Sequence, residues 1–162
     1  MATYKLDDWV CDDEPYTLVG IHSTIEPYRM AYMVNKYLNL SFKRTDNDQD
    51  VTMPNFTVQY PVYKYEDQVH YHTFYLTPNK YWATLNTASS NGGLFENEEE
   101  TIVKTILLKE YAGVDYIIKV EKDPAYFPLK KLINDITKIP QVITAYQLDH
   151  YAIKQKDYLI FE

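Results

Sequence analysis

A chain of 162 residues fits one domain, residues 1–162, long enough to bury roughly 70% of its unfolded surface. Its 23 acidic against 16 basic side chains give a net charge of −7, and the cations are scattered apart from Lys43–Arg44 and Lys130–Lys131, so no nucleic-acid partner is expected. The lone cysteine, Cys11, excludes an intramolecular disulfide and any multi-cysteine metal site.

The start, Met-Ala-Thr-Tyr-Lys-Leu-Asp-Asp, lacks the basic and apolar regions of a secretory signal, and no apolar run nears the ~20 residues of a membrane span. The expectation is a cytoplasmic protein with no membrane partner. Tyr16 to His22 reads as a strand. It feeds Ser23-Thr24-Ile25-Glu26, which has the capping-box spacing, so a helix is expected from about Thr24 along Met30, Met33, Val34, Tyr37 and Leu38 to a stop at Asn39. Leu40 to Arg44 reads as a short returning strand and Thr45 to Asp50 as a solvated loop. Phe56 to Tyr65, Val69 to Leu76 and Tyr81 to Leu85 are expected to form an antiparallel meander, with Pro61 marking an edge or bulge.

Asn86 to Glu100 reads as the longest loop, and Thr101 to Leu108 as strand or short helix. Asp115 to Glu121 alternates as a half-buried strand does, and the two segments are expected to pair as a hairpin across Lys109 to Val114. Leu129, Leu132, Ile133, Ile136 and Ile139 form the apolar stripe of a second helix that Pro140 ends. Strands from Gln141 to Leu148 and from Tyr158 to Phe161 complete the chain. The fold class is α+β: a single two-layer domain, a mainly antiparallel sheet with two helices on one face, with a ferredoxin-like order plus extra strands as the leading topology.

Few constellations carry chemistry. In a strand, His70 and His72 share a face, as two ligands of a metal site do, with His22, His150 or Asp149 available as a third. His22-Ser23-Thr24 lies where a strand hands over to a helix, a place that favours anions, and is a candidate ligand contact beside its structural reading as a cap. No Gly-x-Ser-x-Gly elbow or phosphate-cradling glycine loop occurs, and acidic neighbours disfavour a Cys11 thiolate, so no cofactor is called for and the chain leans away from an enzyme. Seventeen tyrosines are unusual for this length. Because both faces of the segment around Phe56 to Tyr65 are partly apolar, the second face of the sheet is expected to be covered by a loop, a ligand or a second subunit. The subunit alternative places self-association on Tyr60, Tyr63, Tyr65, Tyr71 and Tyr75.

The run Leu107-Leu108-Lys109-Glu110-Tyr111-Ala112-Gly113-Val114-Asp115-Tyr116 resembles the signature of the IPExxxDY family of Bacteroidetes-type bacterial proteins. Lys5-Leu6-Asp7-Asp8, the Tyr16–His22 strand, the Glu26-x-x-Arg29-x-Ala31-Tyr32 helix and Gly93-Leu94-Phe95 before acids are similar to that family's layout. Lys109 stands where the family has proline, and four residues rather than three separate Glu110 from Asp115-Tyr116. The resemblance implies a bacterial protein without an assigned activity. Glu110, Asp115 and Tyr116 match the signature and are read as structural. The functional expectation is a non-enzymatic binding or assembly module, homodimeric in the sense above. A small-ligand regulatory domain of ACT-like type is the alternative, and a His-x-His metal enzyme the third reading.

Overall fold

A computed structural model describes residues 16–87, 99–121, 128–154 and 156–161. Cys11, Gly93-Leu94-Phe95, the opening Lys5 to Asp8 and most of the Asn86 to Glu100 loop lie outside the described residues.

The core of the fold is the succession β1 (Tyr16–Ser23), α1 (Pro27–Leu38), β6 (His72–Pro78), β9 (Tyr116–Glu121), α2 (Leu129–Thr137) and β10 (Val142–Leu148). Its strands lie in the order β10-β1-β9-β6, every neighbour antiparallel, which is the ferredoxin-like βαββαβ arrangement. Two further strands, β5 (Tyr63–Asp67) and β2 (Lys43–Arg44), extend the sheet beyond β6. Two separate hairpins complete the strands: β3 (Gln49–Thr52) with β4 (Thr57–Tyr60), and β7 (Lys80–Thr87) with β8 (Glu99–Ile106).

Both helices cover one face. Val19 and Ile21 of β1, Ile118 and Val120 of β9, and Phe74 and Leu76 of β6 meet Met30 and Val34 of α1 and Leu132 and Ile136 of α2. Each such side chain, removed from water, contributes ~1.5–3 kcal/mol. The opposite face carries a second core of Leu18, Ile117, Tyr75 and Leu148. Its cover comes from the chain itself: Val51, Val58, Tyr60 and Leu107 from the hairpin regions, and Ile153, Leu159 and Phe161 from the C-terminal segment. On this face the Leu148 side chain of the neighbouring strand, with Val114, occupies the space over Gly20, where a Cβ would stand 2.9 Å from Leu148 Cδ2.

Several local expectations give way to tertiary structure. α1 starts at Pro27, whose preset φ and missing donor suit a first turn, rather than near Thr24. Asn39, in the left-handed region at φ 56°, closes it as expected. Phe56 to Tyr65 is two strands, because Pro61 and Val62 break the run and send its halves to different sheets. Gln49 and Asp50, read as loop, open β3. β8 pairs with β7 rather than with β9, so the expected hairpin across Lys109 to Val114 is instead a 3-10 turn, Lys109–Tyr111, that carries the chain from one sheet to the other. The C-terminal strand is a 3-10 segment, Lys156–Leu159, packed on the sheet rather than paired with it.

Candidate functional site

β5 ends at Asp67, and the chain reverses through residues 68–71 into β6. Asp67 organises the turn by side-chain capping. Its Oδ1 accepts the amides of Val69 (3.0 Å) and His70 (3.2 Å), and its Oδ2 lies 2.8 Å from His70 Nδ1. Burial pushes the Asp67 carboxyl up, but the His70 ring and the two amides outweigh it and hold the group below its ordinary value. A carboxylate only accepts, so the His70 Nδ1 is the donor of this bond. Tyr71, at φ 59°, completes the reversal.

The turn puts His70 outside the strand where the sequence placed it, yet the two rings stay together. Their centroids are 6.5 Å apart with planes at 26°, and His72 meets Phe74 edge-on at 6.4 Å. His72 is buried, whereas His70 is exposed. Both line a cleft of about 280 Å³ between this turn, the C-terminal end of α1 and the start of α2. Its apolar wall is Leu38, Leu40, Phe74 and Leu132. Its polar rim is Asp67, His70, His72, Lys131 and Asp135, the last two one turn apart on α2.

The other candidates lie elsewhere. Strand register sets β9 Glu121 against Thr73 at the histidine end of β6, and Tyr116 against both Pro78 and Ile21 at the other end, so His22 and His72 occupy opposite ends of the sheet. His22 Nε2 meets Tyr146 Oη at 2.8 Å. Ser23 is buried: its amide donates to Asp115 Oδ2 (2.9 Å) and its hydroxyl to the Gln141 carbonyl (2.8 Å), so it ties β1 to its surroundings instead of capping α1. Thr24 is exposed. His150 lies against Tyr16 and Tyr151. Neither His22, His150 nor Asp149 joins the His70–His72 pair, and among the described residues no three His, Cys, Asp or Glu side chains are grouped to hold a metal ion.

The signature segment is built around Asn79. Fully buried, Asn79 donates through Nδ2 to the carbonyls of Tyr111 (2.8 Å) and Val114 (2.9 Å) and accepts the Leu108 amide at Oδ1 (2.7 Å). Asp115 adds an ion pair with Lys80 at 3.1 Å, the Tyr116 hydroxyl donates to the Ile25 carbonyl, and Glu110 accepts the Lys154 amide at 3.2 Å. Each of the three matched residues therefore has a structural partner.

The tyrosines expected to form an interface are mostly inside the chain. Tyr60 and Tyr75 are buried, and Tyr63 and Tyr65 pack partly against the helix-side core; only Tyr71, in the turn, is widely exposed. Asp67, Lys131 and Asp135 escaped the sequence reading. The first had a local signal, a carboxylate three residues before His70 within turn-forming sequence. The other two come from a helix that meets the turn only in the folded chain.

Comparisons with protein-family models, curated proteins and solved structures give no match, so the reading of the site rests on its own geometry.

Proposed function

We propose that the chain is a non-enzymatic binding module and that its ligand, a small zwitterionic molecule with an apolar side chain, occupies the His70–His72 cleft. One observation carries this reading: charges of both signs, Asp135 and Lys131, stand on the rim of a cleft whose wall is apolar. An amine matches the carboxylate, an acid group matches the ammonium and the opening turn of α2, and a hydrocarbon side chain matches Leu38, Phe74 and Leu132. A small-ligand regulatory domain of ACT-like type is also served by such a cleft, at a different place from the His22–Glu26 turn.

The test is an NMR titration of the intact chain with leucine and phenylalanine beside their N-acetyl and amide derivatives. Shifts confined to His72, Phe74 and α2, given by the zwitterions and weakened about tenfold by Asp135→Asn or Lys131→Met, are expected, since a partly exposed charged contact supplies on the order of 1 kcal/mol. If neither zwitterion perturbs those signals at millimolar concentration, the reading is wrong.

A further inference from the structure

His70 is exposed and yet held in place. Its side chain keeps 70% of its surface open to solvent, while Nδ1 is tied to Asp67 Oδ2 at 2.8 Å. Exposed side chains ordinarily sample several rotamers, so the bond to Asp67 orders this one before any ligand arrives. The fold does not call for the ring. Asp67 Oδ1 accepts the amides of Val69 and His70, and both of those bonds are to backbone groups that almost any residue at position 70 would supply. Nor does the neighbouring histidine cover its faces. The His72 ring is near-parallel at 26°, but 6.5 Å between centroids is far above the ~3.5–4 Å of two ring faces in contact. The result is a fixed, open ring at the mouth of the cleft, followed inward by the buried His72 and, edge-on to it, Phe74.

Given a zwitterionic ligand in this cleft, as proposed above, we infer that its side chain is an aromatic ring and that His70 selects it by offering a face on which that ring stacks. Lys131 and Asp135 take the head group on α2, and the turn that bears His70 is a different wall of the cleft, so a side chain reaching away from α2 meets the imidazole. Leu38 and Leu132 accept an aliphatic or an aromatic side chain alike. The choice between them falls at His70. Hydrocarbon laid on an imidazole strips water from its nitrogens and returns only dispersion, whereas an aromatic ring adds the electrostatic match of offset-stacked or edge-to-face rings. When the imidazole takes up a proton, an aromatic face is still the favoured partner, because its quadrupole attracts a cation.

NMR titration of the intact chain with phenylalanine and with cyclohexylalanine tests this role. The two share a head group and a carbon skeleton, but the saturated ring offers apolar surface without a π face. Phenylalanine is expected to bind about threefold or more tighter and to move the His70 ring protons upfield, as stacking requires, which cyclohexylalanine should not do. His70→Ala should remove the difference in affinity, and His70→Phe, which keeps a ring at the position, should retain it; the capped amides of residues 69 and 70 report in the same spectra that the turn persists. Equal binding of the two amino acids by the native chain, or a preference that survives His70→Ala or disappears in His70→Phe, would overturn the role given to His70 and leave the cleft as a site for apolar zwitterions. Absence of any shift with either ligand is a different failure, because it removes the reading of the cleft itself and the aromatic specificity with it.

Discussion

Removing the side chain of Asn79 would strand three backbone groups at once: the buried Val114 carbonyl and Leu108 amide and the partly buried Tyr111 carbonyl. Leaving a buried polar group without a partner costs ~1–3 kcal/mol, so Asn79→Ala should destabilise the chain by about 3 kcal/mol or more in denaturant unfolding. Tyr116 acts through a different property. Burial, with the Asp115 charge beside it, pushes its hydroxyl well above the ordinary tyrosine value, and burial raises Tyr60, Tyr63 and Tyr75 as well. The folded chain keeps these hydroxyls neutral at pH values where an unfolded chain has ionised them. The contribution of these hydroxyls is therefore fully present below about pH 10 and is lost as the pH rises above it, by at most about 1.4 kcal/mol per pH unit for Tyr116. Tyr116→Phe should lower stability at neutral pH, because the Ile25 carbonyl loses its donor, and should make the alkaline decline shallower; pH-resolved thermal unfolding reads both.

At the scale of elements, the C-terminal segment depends on one buried cation. Lys119 projects from β9 toward the covered face, donates to the Leu159 carbonyl (2.8 Å) and to Glu121 (2.9 Å), and lies 4.9 Å from the Tyr16 ring centre. Phe161 packs on Tyr75 beside it, at 5.1 Å between ring centres. Lys119→Met keeps much of the packing volume but orphans the Leu159 carbonyl and the Glu121 carboxylate. A loss of about 1–3 kcal/mol, concentrated in this segment, should appear as amide exchange at least about tenfold faster at Ile160 and Phe161 than in the native chain. If the whole chain exchanges faster to the same degree, Lys119 supports the sheet and not the segment.

For the molecule as a whole, the elements that align with local pattern were legible and the ones set by long-range pairing were not. The stripe Leu132–Ile136–Ile139 and the alternation of Tyr116 to Glu121 identified α2 and β9, and with β1, α1 and β10 they gave the ferredoxin-like order. Periodicity describes a segment's own faces and is silent about its neighbour, which is why the sequence suggests β9 as the partner of β8 and the fold supplies β7. Half of the candidate site was visible for the same reason. His70 and His72 declare themselves by spacing, while Lys131 and Asp135 become part of the site only when α2 docks beside the turn.

The position of β1 inside the sheet, between β9 and β10, also sets an order of events in time. Its neighbours are β9 and β10, with Ile21 against Tyr116 and Leu18 against Leu148, so the first described strand finds no strand partner until the last third of the chain has been made. During synthesis Thr-Leu-Val-Gly-Ile waits as an uncapped apolar segment while the inserted hairpins, whose partners are close in sequence, are free to form. A ribosome that stalls after β6 would therefore release a chain in which β1 lacks both of its strand partners.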